Sequence, residues 1–210
     1  MIKVFETFAG YGGASWGLKL ARIKHKVVGY SEIDKYACQI YENNFPKTKG
    51  LNYGDITKIN WKEVPDFDLL TGGFPCQSFS FAGKQLGHND TRGVLGLELT
   101  KALHYKQPKY FLFENVKGLM SKKFDDFRAG LIESWRREGY NVSYKVLNSK
   151  EHGVPQNRER VWFVGIRNDI YKPFEFQYPN KIELKLKLKD ILEDEVDDKY
   201  YLKPEQEENY

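Results

Sequence analysis

Ile2-Lys3-Val4-Phe5-Glu6-Thr7-Phe8-Ala9-Gly10-Tyr11-Gly12-Gly13 passes from a β-rich apolar run straight into a cluster of glycines. The run predicts a strand over residues 2–8, and helical spacing resumes over residues 14–23, so the glycines occupy a strand-to-helix turn. Glycine lets a backbone approach a ligand closely there, and the first helical turn offers N–H groups without an intrahelical partner. A second strand candidate, residues 26–30, ends just before Glu32, which lies 19 residues beyond Gly13. A carboxylate in that place suits the ribose hydroxyls of an adenosine-containing cofactor. The turn departs from the dinucleotide pattern G-x-G-x-x-G/A, because its glycines run G-x-G-G and Ser15 holds the third position. Without Glu32 the same glycines would read equally well as a plain tight turn.

Beyond this turn, β-rich runs keep alternating with helical spacing, the pattern of an α/β fold with a mostly parallel sheet. Ala37, Ile40, Tyr41 and Phe45 share a loose helical face closed by Pro46, and residues 67–71 form a third strand candidate ending at Gly72-Gly73. Residues 94–106 are helical, and residues 110–113 form a continuous apolar strand. Phe127, Leu131 and Trp135 lie on one helical face that stops at Gly139. Strands over 143–147 and 161–166 complete the pattern. Residues 74–93 form a long stretch without periodicity, and a loop of that length inside a compact domain is usually functional.

The 210 residues are 40% hydrophobic, 15% aromatic and 30% charged, enough for one domain with a real core. No apolar run reaches the roughly 18 residues of a membrane span, and no basic-then-apolar leader opens the chain. A soluble, cytoplasmic protein is expected. Cys38 and Cys76 are too few for a disulfide framework, and no Cys/His cluster has zinc spacing, so no metal is expected. The net charge of +4 conceals a split: residues 1–180 carry 27 basic and 19 acidic side chains, residues 181–210 carry 6 and 10. The division expected is a catalytic and cofactor-binding domain over 1–180 and an acidic segment over 181–210. A basic body is compatible with a polyanion as partner without requiring one.

Three further segments carry chemistry. In Gly72-Gly73-Phe74-Pro75-Cys76-Gln77-Ser78 the cysteine follows directly from a buried strand, at the sheet edge where α/β folds bind ligands. Its loop-forming frame suits a presented nucleophile, whereas Cys38 lies mid-helix and is read as structural. Phe113-Glu114-Asn115-Val116 places a carboxyl group at the same edge, where desolvation would raise its pKa and let it serve as an acid, or where it would cap a turn. Gln156, Arg158 and Arg160 lie two apart, so an extended backbone would point all three to one face, suited to carbonyl or phosphate oxygens. Asp55, in Gly54-Asp55-Ile56-Thr57, is placed either to hold an adenine amino group or to cap a turn.

In order and spacing, these segments closely resemble the cytosine-5 DNA methyltransferase family, of the bacterial and phage restriction-modification type. The resemblance rests on the glycine turn, Ser31-Glu32-Ile33, Gly54-Asp55-Ile56, Gly73-Phe74-Pro75-Cys76-Gln77-Ser78-Phe79-Ser80, Glu114-Asn115-Val116-Lys117 and Gln156-x-Arg158-x-Arg160. Gly83-Lys84-Gln85 and Asp90-Thr91-Arg92-Gly93 resemble that family's mobile loop. The resemblance implies a Rossmann-like fold, S-adenosylmethionine as methyl donor and double-stranded DNA as substrate. It assigns Cys76 as the thiolate that adds to carbon 6 of a flipped-out cytosine, since carbon 5 is otherwise a poor nucleophile. Glu114 is then the group at ring nitrogen 3 and the exocyclic amine, and Arg160 holds the base carbonyl, with Arg158 and Gln156 ordering the same face. Contacts to the cofactor carry over to Phe8, Gly10, Tyr11, Gly12, Gly13, Glu32, Ile33, Asp55, Ile56, Pro75 and Leu95. Gln77, Ser78, Ser80, Lys84 and Arg92 carry over as contacts to DNA. Gly96 stands where relatives often have an aromatic, which is expected to loosen the wall beside Leu95.

Members of this family continue beyond the segment that resembles Lys187-Leu188-Lys189-Asp190-Ile191-Leu192, into a target-recognition region and a last cofactor motif. Those parts have no counterpart here, so the C-terminal part of the fold is expected to be missing. The resemblance therefore implies the catalytic part of a split or truncated enzyme, with a second polypeptide supplying target recognition. Two alternatives stay open: a non-catalytic subunit that binds cofactor or partner, and an RNA cytosine-5 methyltransferase. An ordinary dinucleotide oxidoreductase explains neither Cys76 nor the arginines.

Overall fold

The computed structural model describes residues 1–75, 91–173 and 176–202, with residues 91–94 described by backbone only. Strand β1 (Ile2–Thr7) feeds helix α1 (Gly13–Leu20), then β2 (His25–Ser31), α2 (Lys35–Asn44), β3 (Leu69–Gly73), α3 (Thr91–Lys106), β4 (Tyr110–Val116), α4 (Asp125–Arg137), β5 (Tyr140–Asn148) and β6 (Glu159–Arg167). The six strands form one sheet in the order β2-β1-β3-β4-β6-β5. The β1–β2, β1–β3 and β3–β4 pairs are parallel, and β6 runs against β4. This is the α/β, mostly parallel sheet that the alternating pattern predicts.

Chain order reverses at β1, whose neighbours β2 and β3 lie on opposite sides. Crevices beyond the carboxyl ends of strands at such a switch point are where open α/β sheets bind ligands. The core is largely aromatic. Trp135 of α4 is fully buried against the rings of Phe111, Phe113 and Phe163, and Phe111 stacks on Phe113 at 4.4 Å. Gly165 lies opposite Phe111 in the β4–β6 register, and a Cβ there would overlap the Phe111 ring. Gly165→Val is therefore expected to destabilise the chain by about 2 kcal/mol or more, the usual cost of overpacking a tight core. A denaturation midpoint equal to wild type would show that Phe111 can yield.

Several boundaries differ from the sequence expectation, for local reasons. Helix α1 stops at Leu20, short of residue 23. Arg22 adopts φ +57°, its N–H bonds to Lys19 O at 3.0 Å, and Ile23 N–H bonds back to Leu18 O at 2.9 Å. That is a left-handed helix stop built without glycine, so composition does not announce it. Strand β3 is shifted two residues later, because Gly72 and Gly73 belong to the sheet. A Cβ on Gly72 would collide with the Thr7 hydroxyl, which donates to Thr71 O at 2.9 Å. Strand β4 runs on through Glu114 to Val116, and α3 begins at Thr91, inside the stretch read as loop. Helix α2 is capped by Asp34, which accepts from Ala37 N–H at 2.7 Å. Gly139, at φ +92°, ends α4 as its position predicts.

The chain divides into two units, Met1–Leu147 with Glu159–Tyr178, and Asn148–Arg158 with Pro179–Tyr210. The first carries the sheet and the core. The second takes in Asn148–Arg158, which the sequence reading places in the first domain. Within it Ile182 pairs with His152, Ile182 N–H donates to Glu151 O at 2.9 Å, and Lys181 pairs with Glu151 at 2.7 Å. None of its described apolar side chains belongs to the core cluster.

Candidate active site

Register brings four strand ends to one edge: Thr7 lies opposite Ser31 and Gly72, and Gly73 opposite Glu114. After β1 the chain turns through Phe8, Gly10 and Gly12, at φ +50°, +55° and +91°. Left-handed geometry is routine for glycine but costs a residue such as Phe8 about 1–2 kcal/mol. Gly12 precedes α1 with no side-chain cap, so the N–H groups of the first turn are left to a ligand. A Cβ on Gly12 would overlap the Phe45 ring, which is why glycine is needed there.

Glu32 ties the turn to β2. One carboxylate oxygen accepts from Gly10 N–H at 2.9 Å, and the other accepts from Ile33 and Asp34 N–H at 2.8 and 2.9 Å. The carboxylate expected at the ribose is thus also the clamp that shapes the glycine turn. Ser31 Oγ donates to Gly54 O at 2.6 Å, and Tyr53 N–H donates to Tyr30 O at 2.7 Å, so the Asp55 segment is held to the end of β2. Asp55 caps the turn Ile56–Lys58, accepting from Thr57 N–H at 3.0 Å and Thr57 Oγ1 at 2.8 Å. Those bonds hold its carboxyl below the usual range. Ile33 is 78% exposed and Tyr11 61%, an apolar flank to this polar edge. Ile56, by contrast, is a core residue at 3% exposure, so its backbone rather than its side chain is what it can offer. Leu95 packs partly against the core. The loosened wall expected at Gly96 is not found: Gly96 is buried, and a Cβ there would lie 2.9 Å from Leu131 Cδ2. It is a close contact between α3 and α4.

The end of β3 leads through Phe74, buried in the core, to exposed Pro75. Asn115, which sequence reasoning did not single out, holds this exit. It is 1% exposed, its Nδ2 donates to Phe74 O at 3.0 Å, and its Oδ1 accepts from Val116 N–H at 2.8 Å. A polar residue at a buried strand position inside the Glu114-Asn115-Val116 signature was the available signal. Cys76, Gln77, Ser78, Ser80 and Lys84 lie outside the described residues, as does the side chain of Arg92.

Glu114 and Arg160 meet across β4 and β6. Arg160 Nε lies 2.6 Å from Glu114 Oε1, and Arg160 Nη1 donates to Glu159 O at 2.8 Å. Gly73 makes room, since a Cβ there would sit 3.1 Å from Glu114 Oε2. The carboxyl of Glu114, expected as a desolvated acid, is only 24% exposed but is not isolated: it faces the Arg160 guanidinium. The single extended run expected from Gln156 to Arg160 is also not found. Strand β6 begins at Glu159, and before it Gln156 N–H bonds to Val154 O and Arg158 N–H to Gln156 O, tight reversals of the backbone. Asn148 shapes that loop by accepting from Lys150 and Arg158 N–H, both at 3.2 Å. Gln156 and Arg158 are exposed and belong to the second unit, whereas Arg160 belongs to the first.

Cys38 is no rival nucleophile. Its thiol sits in α2, accepting from Asn52 Nδ2 at 3.2 Å, and burial, reinforced by the carboxylates of Glu32, Glu42 and Asp34, pushes its pKa up. Among the described residues no group of three or more His, Cys, Asp and Glu side chains could hold a metal, and no helix is long and apolar enough to cross a membrane.

Comparison with known proteins shows the family. The family model of the C-5 cytosine-specific DNA methylases matches residues 2–210. The type II methyltransferase M1.ScrFI of Lactococcus lactis subsp. cremoris is 42% identical over 199 residues, covering 94% of this chain and 50% of the relative. The orphan methyltransferase M.Rho11sI of Bacillus phage rho11s is 38% identical over 231 residues, covering 97% and 46%. The chain thus spans about half the length of these curated relatives. A DNMT2 mutant from Spodoptera frugiperda superposes with a TM-score of 0.77 at 26% identity, over 95% of this chain and 62% of that one. With the Rossmann-like methyltransferase fold and the signatures at one strand edge, this chain belongs to the C-5 cytosine-specific DNA methylase family.

Proposed function

We propose that the chain is the catalytic part of a DNA (cytosine-5-)-methyltransferase that uses S-adenosylmethionine. The observation that carries this reading is one sheet edge on which the glycine turn with Glu32, the Phe74-Pro75 exit toward Cys76, and the Glu114–Arg160 pair stand side by side. The edge fits the cofactor chemically: a carboxylate beside two exposed apolar side chains suits an adenosine, and uncapped N–H groups at α1 suit its polar end. Phe8, Gly10, Tyr11, Gly12, Gly13, Glu32, Ile33, Asp55, Ile56, Pro75 and Leu95 would line its site. When bound, S-adenosylmethionine supplies an electrophilic methyl group.

The chain's own residues act on the base. Cys76 adds as thiolate to carbon 6 of a cytosine swung out of the duplex, making carbon 5 nucleophilic. Glu114 engages ring nitrogen 3 and the exocyclic amine, and Arg160, already fixed by Glu114 and by Glu159 O, orients the base carbonyl. After transfer the carbon-5 proton leaves to a base and the Cys76–carbon bond breaks. Gln77, Ser78, Ser80, Lys84, Arg92 and Gln156 would meet the DNA, with Arg158 ordering the base.

We place the choice of DNA sequence in protein beyond this chain, matching the half of the curated relatives that it does not span, whether as continuation or as second polypeptide. The test is transfer of labelled methyl from S-adenosylmethionine to DNA, with tRNA as the alternative acceptor. It is run with the chain alone and with the product of an adjacent reading frame. Site-specific DNA methylation only with the second product is the expected result. Site-specific methylation by the chain alone would overturn the split reading, and methylation of tRNA in place of DNA would overturn the substrate.

A further inference from the structure

Beneath the glycine turn lies a buried acid that the methylation chemistry does not use. Glu6, the second-last residue of β1, is 1% exposed, and Ser15 of α1, fully buried, donates its hydroxyl to Glu6 Oε1. The Tyr41 hydroxyl of α2 lies beside the same carboxyl, and neither it nor Glu6 Oε2 has a hydrogen-bond partner. A proton on Oε2 gives these two orphan atoms a donor and an acceptor for each other. The cluster joins the elements that flank the turn. Glu6 stands two residues before strained Phe8, and Ser15 is the third residue of α1, in the turn whose N–H groups are uncapped. Tyr41 closes the set from below: a Cβ on Gly12 would come within 3.1 Å of its ring. Strain at a loop residue persists only where surrounding structure enforces it. Here the enforcing contacts are those of Glu32 and of this cluster.

We propose that Glu6, with Ser15 and Tyr41, is a positioning residue that holds the glycine turn in the shape that accepts the cofactor. The inference rests on the assignment of that turn to S-adenosylmethionine. Burial raises the Glu6 carboxyl above its ordinary value, opposed by its hydrogen bond from Ser15, by the neighbouring Tyr41 hydroxyl and, more weakly, by His25 of β2. Tyr41 is itself stacked on Tyr30, whose hydroxyl donates to Glu42. Because the folded chain keeps the Glu6 proton over a window in which the unfolded chain has lost it, this contribution is full at pH below the unfolded carboxyl value. It is lost as pH rises through the folded value. Above that, a charge sits under the turn with one oxygen unpaired.

The test measures S-adenosylmethionine affinity by equilibrium dialysis and amide exchange of residues 9–14 without ligand. It uses the full chain and its Glu6→Ala, Glu6→Gln, Ser15→Ala and Tyr41→Phe variants. Glu6→Ala and Ser15→Ala are expected to weaken binding about tenfold, the scale of a lost buried hydrogen bond, and to speed exchange in the turn. Glu6→Gln should stay within about threefold, because an amide can both donate and accept. Wild-type affinity should fall as pH rises through the folded Glu6 value, a step that Glu6→Gln should lack. If Glu6→Ala does not fold, Ser15→Ala and Tyr41→Phe decide. Wild type that binds while the variants bind equally overturns the positioning role. Wild type that fails to bind overturns the cofactor assignment, and unaltered exchange in the variants then overturns the positioning role too.

Discussion

Cys76→Ala is expected to lower methyl transfer to DNA by on the order of 10³-fold or more, because carbon 5 of cytosine has no other route to nucleophilicity. Cofactor affinity should stay within about threefold. The reason lies in what holds the neighbouring chain: Phe74 is anchored in the core and its carbonyl is bound by Asn115, so the exit from β3 does not depend on the thiol. The glycine turn and Glu32 are fixed by their own hydrogen bonds. Labelled-methyl transfer by the active assembly, paired with equilibrium dialysis of the cofactor, separates the two effects. Loss of both together would make Cys76 a structural residue and sink its assignment as nucleophile.

Glu114→Gln and Arg160→Ala should each lower transfer by about 10²- to 10⁴-fold, the usual range for a group that manages a proton or orients the reacting base. Combining them should cost little more than either alone, because Arg160 Nε and Glu114 Oε1, 2.6 Å apart, act as one unit. Each side chain is only about a quarter exposed, so losing one partner should also cost roughly 1–3 kcal/mol of stability, between the values for exposed and buried pairs. Turnover and thermal midpoints of the two singles and the double decide the matter. Activity that survives either single change, or falls only in step with unfolding, would remove the pair from the chemistry.

Much of this edge was legible because its chemistry is local in sequence. Gly10, Gly12 and Gly13 mark a turn wherever they occur between a strand and a helix, and Glu32 marks the end of the next strand. The Glu114-Asn115 signature falls on the end of β4 as its spacing requires. Other features were not legible because their causes lie far along the chain. Gly72 reads as a turn residue but is a strand residue, since only the sheet brings Thr7 against it. Gly96 reads as a gap beside the cofactor but is a contact with Leu131, 35 residues away. Arg22 in a left-handed stop carries no compositional mark at all.

By itself the sequence determined the alternation of strands and helices, the edge on which the chemistry sits and the kind of groups found there. Those follow from periodicity and from residue types whose chemistry travels with them. Tertiary structure alone decided the charge environments. A carboxyl group is an acid, a clamp or an ion-pair partner according to what packs within a few ångströms, and those neighbours come from other strands. Thus Glu114 is paired with Arg160. Glu32 spends its oxygens on three backbone N–H groups. Glu6, one acidic residue in a β-rich run, is the buried group beneath the turn with which the chain begins.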